Sequence, residues 1–171
     1  MRNWATRAVG ELAHRRDEIN ALNVFPVPDS DTGSNMAHTM EAAVAELDNG
    51  GDVADSLALG AVRGARGNSG MVLSQVLRGV AESTVDSVID GDVFARSLQQ
   101  AVELVDRAIA EPVEGTVITV LKAAAEAADD AEAQSGATLH SIVSAAIAAA
   151  EKALERTPSQ LPALREAGVV D

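Results

Sequence analysis

The sequence predicts an all-α protein, on three observations. Hydrophobic residues fill 47% of 171 positions but aromatics only 2%, so the core must be built from Ala, Val, Leu and Ile. Such alanine-rich apolar sequence favours closely packed helices. Apolar residues recur at helical spacing in one segment after another. Period-two alternation is nearly absent; the best strand candidate, Thr116 to Leu121, leads into an alanine run. Short connections make the helices antiparallel neighbours. The expected architecture is a bundle or barrel of about eight helices, in one domain over residues 1–171, with no internal repeat or linker.

Residues 3–21 read as the first helix, with Trp4, Ala8, Leu12, Ala13 and Ile19 on one face. Pro26 and Pro28 forbid its continuation. Residues 33–48 form the second helix, carried by Met36, Met40, Ala43, Val44 and Leu47 and ended by Asp48-Asn49-Gly50-Gly51. Asp52 caps a third, whose apolar members are Val53, Leu57, Leu59 and Val62 and which stops in Gly64-Ala65-Arg66-Gly67. Asn68 or Ser69 caps a fourth. Residues 83–91 are polar, and Asp90-Gly91 is a turn. A fifth helix covers 92–110 and is closed by Pro112; a sixth runs from Thr116 to about Asp130. A seventh covers 138–156, with Thr157-Pro158 as a boundary, since proline suits a first turn. A short helix over 159–167 ends at Gly168, and Val169–Asp171 carry no evident cap.

Charge and composition exclude several functions. The net charge of −13 argues against nucleic acid and anionic membrane surfaces as partners. The absence of cysteine removes disulfides, thiolate catalysis and Cys-ligated metals, and fits a cytoplasmic protein. No run is apolar enough to span a bilayer. An anionic ligand would need metal ions and local backbone donors, because the overall field repels it.

Residues 23–36, Asn-Val-Phe-Pro-Val-Pro-Asp-Ser-Asp-Thr-Gly-Ser-Asn-Met, are where such a ligand fits. Asp29 and Asp31 on a proline-stiffened turn suit magnesium, which takes one or two carboxylates and completes its shell with phosphates and waters. Taken alone, the pair is explained as well or better by turn and N-cap roles. Thr32, Gly33, Ser34 and Asn35 then open a helix whose free N–H groups can bind phosphate oxygens. Residues 64–70, Gly-Ala-Arg-Gly-Asn-Ser-Gly, precede another helix. They are no Walker A loop, but Asn68 and Ser69 could donate to phosphate and Arg66 could add charge for a transferring phosphoryl group. The plain alternative is a C-cap glycine followed by an N-cap serine. Glu114-Gly115-Thr116 is a third helix start, which a threonine N-cap explains. His38, one turn beyond Ser34, is within reach of the same site, although such a histidine is more often a surface residue.

Four stretches in order, Asn23–Met36, Gly64–Gln75, Glu114–Val120 and Leu164–Asp171, resemble the nucleotide-binding domain of bacterial fatty acid kinase. That domain is related to the L subunit of dihydroxyacetone kinase (DhaL, DAK2-like). The resemblance implies an antiparallel helical barrel holding Mg–ATP, or Mg–ADP, in its inter-helix loops. Its metal aspartates fall on Asp29 and Asp31, and Asn23 is the nearest match to a third metal-side position. Thr32, Ser34 and Asn35 would contact phosphates, Asn68 and Ser69 match the second nucleotide loop, and Gly115 and Thr116 would lie near the nucleoside. Ser30 replaces the glycine usual between the aspartates. Asp171 matches the aspartate of a glycine-rich loop that the family continues into a last helix and further domains, so the chain reads as a truncated domain.

The implied activity is a kinase passing the γ-phosphoryl of ATP to a fatty-acid carboxylate presented by a lipid-carrier protein. An ionised carboxylate needs no general base. Two alternatives are a dihydroxyacetone kinase-type L subunit and a nucleotide-binding module without turnover. The oligomeric state, a homodimer included, is left open.

Overall fold

A computed structural model describes residues 1–171. The protein is all-α: α1 Arg2–Leu22, α2 Thr32–Glu46, α3 Val53–Gly64, α4 Gly67–Ser83, α5 Gly91–Ala108, α6 Val117–Glu132, α7 Leu139–Gln160 and α8 Pro162–Ala167. A single 3-10 turn, Leu47–Asn49, extends α2, and the only extended pairing is a bridge between Val85 and Val88. The contacts fall into two compact units, 1–82 and 83–171.

In the first unit α2 packs between α1 and α3. Its core is Ala5, Met40, Ala43, Leu47, Leu57, Ala61 and Leu77, with Ala8, Val9, Leu12 and Leu73 against it. The inward stripe of α1 is therefore Ala5, Ala8, Val9 and Leu12, a regular i, i+3, i+4, i+7 face. Trp4, expected on that face, is 55% exposed, and Ala13 is exposed as well. Leu59 and Val62 likewise lie on the outer side of α3. Helices approach closely where glycines face them. A Cβ on Gly60 would meet the Ala42 carbonyl oxygen at 2.5 Å, and one on Gly64 would strike the Ala42 methyl. Asp52 caps α3 as expected, accepting from Ala54 N at 2.8 Å and Asp55 N at 3.3 Å.

In the second unit α6 packs on both α5 and α7, around Ala95, Ala128, Ile142 and Ala146. Asp90 caps α5 through Val93 N at 2.9 Å, and Thr138 with Ser141 forms a capping box on α7. The expected boundary at Thr157-Pro158 is absent, because α7 continues to Gln160. Proline withholds the N–H that would reach the Leu154 carbonyl. The buried Thr157 hydroxyl supplies a substitute, donating to that carbonyl at 2.8 Å. The last helix accordingly starts later than expected, with Pro162 in its first turn. Thr157 Oγ1 also accepts from Asp171 N at 3.1 Å. Thr157→Val keeps the shape but strands the Leu154 carbonyl and the Asp171 N–H. It should lower stability by about 1–3 kcal/mol, read as a shifted urea midpoint with an unchanged m-value.

The segment after α8 is tied down, contrary to the reading of Val169–Asp171 as uncapped. Gly168 ends the helix in the left-handed conformation, and Val169 N bonds Leu164 O at 3.1 Å, a Schellman closure. Asp171 Oδ2 then accepts from Val117 N at 2.6 Å, at the N-terminus of α6. Burial raises the Asp171 carboxyl above its ordinary range, and the Val117 bond opposes that rise.

Candidate functional site

Asn23 closes the turn ahead of α2. Its Oδ1 accepts from Asp31 N at 3.1 Å, and its Nδ2 donates to Val27 O at 3.1 Å. The amide thus spans the loop and fixes where Asp31 stands, a clamp that a metal-side reading of Asn23 did not foresee. Asp29 is exposed and Asp31 partly buried. Asp31 occupies the N-cap position of α2, yet its carboxylate makes no capping bond. Neither carboxylate has an internal partner. In a chain that caps α3 and α5 with aspartates, that leaves two anions whose placement is not explained by helix capping.

Ser30 takes φ = 55°, the left-handed conformation that glycine adopts without strain. The Cβ of serine opposes it by about 1–2 kcal/mol, and glycine's larger unfolded-state freedom takes back part of that. Ser30→Gly should therefore raise stability by about 0.5–1 kcal/mol, visible as a small increase in melting temperature.

The first intrahelical bond of α2 is Asn35 N to Asp31 O at 2.8 Å. The N–H groups of Thr32, Gly33 and Ser34 precede it, and of these Ser34 N is taken by Asn20 Oδ1 of α1 at 3.1 Å. Gly33 is buried because it abuts α1: a Cβ there would strike the Arg16 carbonyl oxygen. Its lack of a side chain serves helix packing as much as access to the backbone.

The 64–70 segment brings the start of α4 onto the start of α2. A Cβ on Gly67 would hit the Asn35 amide, and one on Gly70 would hit Thr39 Oγ1. Ser69 Oγ donates to Thr32 O at 3.3 Å. Gly67, at φ = 59°, makes the turn itself. The first bond of α4 is Gly70 N to Arg66 O at 3.0 Å, so the N–H groups of Gly67, Asn68 and Ser69 remain ahead of it. Two helix N-termini therefore lie together, with Asp29 and Asp31 leading into one and Arg66 into the other. Arg66 and Asn68 are exposed, and Arg66 makes no ion pair. His38 is exposed one turn along α2.

The donor set fits magnesium. No three His, Asp or Glu side chains gather as a metal cage, and two free carboxylates are what magnesium takes when phosphates and waters fill its shell. The adjoining helix N-termini suit those phosphates.

Gly115 and Thr116 belong to the second unit and are both buried. Gly115 turns at φ = 81°, pressed against Gln160 and Leu161. Thr116 does not cap α6 with its side chain, as the sequence suggested; its hydroxyl donates to Val113 O at 2.7 Å. Thr119 accepts from Gly115 N at 2.9 Å and donates to Glu114 at 2.9 Å, while Asp171 takes the Val117 N–H. The roles of Asn20 and Asp171 depend on partners 14 and 54 residues away. No local signal marks them.

A family model described as the DAK2 domain matches residues 26–171. The chain belongs to the DAK2 domain family. That family is of dihydroxyacetone kinase type, and its domain is a DhaL-like nucleotide-binding module. Protein YloV of Bacillus subtilis (strain 168) is 41% identical over 166 residues, covering 94% of this chain and 30% of its own length. The uncharacterized protein SAUSA300_1119 of Staphylococcus aureus (strain USA300) is 40% identical over 166 residues, with the same coverage. The DAK2 chain thus spans about 30% of the length of these curated relatives. No helix is long and apolar enough to cross a membrane.

Proposed function

We propose that this DAK2 domain binds Mg–ATP, or Mg–ADP, and serves as the nucleotide side of a phosphotransferase. The observation that carries this is the pair of unpartnered carboxylates, Asp29 and Asp31, beside two adjoining helix N-termini. Asp29 and Asp31 would hold the cation, with Asn23 fixing the loop that presents them. Backbone N–H groups of Thr32 and Gly33, the side chains of Ser34 and Asn35, and Asn68 and Ser69 on α4 would take phosphate oxygens. Arg66 would offset charge on a transferring phosphoryl group, and His38 would lie at the margin.

Magnesium, when bound, neutralises phosphate charge. The protein's own share is positioning and backbone donation. The acceptor we favour is a fatty-acid carboxylate delivered by a lipid-binding carrier protein. It is already ionised at neutral pH, so the lack of an evident base in this domain is no obstacle. Membership of the DAK2 family supports a second reading, a small hydroxylated ketone such as dihydroxyacetone, which would need a base from another subunit. Turnover with an acyl-loaded carrier and none with dihydroxyacetone would decide for the first acceptor; the reverse would decide for the second.

Calorimetric titration of Mg–ATP tests the site itself. The parent should bind and the Asp29→Ala, Asp31→Ala double variant should not. Equal binding by both would sink the assignment.

A further inference from the structure

We infer that Asn20 is a positioning residue that frees the Ser34 hydroxyl proton for the phosphate; the inference rests on the Mg–nucleotide reading of that site. The Ser34 backbone N–H can only donate, so the Asn20 atom 3.1 Å from it is Oδ1. The other end of the amide, Nδ2, can only donate, and it lies 3.0 Å from Ser34 Oγ. The orientation of the amide is therefore settled by a backbone group, and Ser34 Oγ is an acceptor toward α1. Its own proton must go elsewhere.

The usual destination in a helix is the carbonyl four residues back. Thr39 uses it, donating to Asn35 O at 2.7 Å, and so does Ser97, donating to Val93 O at 2.6 Å. Ser34 makes no such bond, and its only side-chain partner is Asn20. Ser34 thus withdraws its N–H from any anion and offers its O–H instead. Asn20 determines both. It also fastens the end of α1 to the head of α2, so the donor is set before a ligand arrives.

Asn20→Asp separates this role from a merely structural one. The new carboxylate still accepts from Ser34 N–H, so the cap and the melting temperature should persist. It can no longer donate to Oγ, and the Ser34 hydroxyl will turn to donate to it, leaving the phosphate. Mg–ATP affinity should fall about tenfold or more, as for loss of a hydrogen bond to a charged group. The added negative charge would also weaken binding, and a cycle with Ser34→Ala removes that ambiguity. In the Ser34→Ala background, Asn20→Asp should cost no more than about twofold. Equal losses in both backgrounds would overturn the inference and leave only charge repulsion.

Ser34→Ala alone keeps the Asn20–N–H bond and should also lose about tenfold in affinity while remaining folded, with a modest fall in melting temperature from the unpaired Asn20 Nδ2; Ser34→Thr should restore most of both. Unchanged affinity in Ser34→Ala overturns the inference even if the Asn20 variant misfolds. Absence of Mg–ATP binding by the parent overturns the site reading, and the inference with it. Parental binding with no coupling overturns the inference alone.

Discussion

Removing both carboxylates, Asp29→Ala with Asp31→Ala, should weaken Mg–ATP binding by at least about a hundredfold, since even outer-shell partners of a metal are worth ten- to hundredfold. Binding of ATP without magnesium should move the other way. The chain carries −13 overall, and Asp29 and Asp31 place two of those charges where the phosphates would sit, so deleting them lowers the local repulsion. Opposite signs with and without the metal are specific to cation ligation; a general collapse of the loop would weaken both. Stability offers an independent check. The Asp31 side chain makes no capping bond, so Asp31→Ala should leave the melting temperature nearly unchanged. Asp52→Ala, which breaks bonds to Ala54 N and Asp55 N, should cost about 1 kcal/mol. If Asp31→Ala were the more damaging of the two, the carboxylate would be structural.

The fold was legible where local chemistry decides the outcome. The aspartate cap of α3, the glycine stop after the 3-10 turn and the helix end at Gly168 all follow from short-range rules; Asp90, read as part of a turn, is instead the N-cap of α5. Reading failed where a side chain altered the rule. Pro158 does not end α7, because Thr157 replaces the missing donor. Trp4 shares a helical face with Leu12 only loosely, and α1 turns its alanines inward so that α2 can approach. Small residues at a close crossing outweigh the transfer energy of one large aromatic.

The sequence singles out the acids and glycines of the candidate site, and the structure gives those glycines a packing role. Gly64, Gly67 and Gly70 seat the 64–70 segment and the first turn of α4 against Ala42, Asn35 and Thr39 of α2. That seating puts two helix N-termini side by side, which is the feature the proposed phosphate contacts rest on. Asn20 and Asn23 could not be read as clamps, because an asparagine near a helix end is ordinarily a stop signal. Their partners, Ser34 and Asp31, lie 14 and 8 residues on.

Gly33→Ala should damage fold and site together, and it tests how they are joined. The added Cβ would meet the Arg16 carbonyl oxygen, with the Arg16 C and Cα both at 3.1 Å. These are backbone atoms inside a 21-residue helix, so no side chain can swing away, and α1 and α2 must separate. Overpacking of this kind costs about 3 kcal/mol at the upper end of its usual range, or roughly 6–12 °C in melting temperature for a chain of this size. The shift of α1 would also pull Asn20, one turn beyond Arg16, away from its 3.0 and 3.1 Å bonds to Ser34. Mg–ATP affinity should therefore fall even at temperatures where the variant remains folded. Gly10→Ala is the matching control. Gly10 also lies within a helix, but nothing stands within 4 Å of its Cβ position. That change should raise stability by up to about 1 kcal/mol through helix propensity and leave binding unaltered. Equal effects from the two substitutions would show that the α1–α2 contact at Gly33 is not what holds the head of α2 in place.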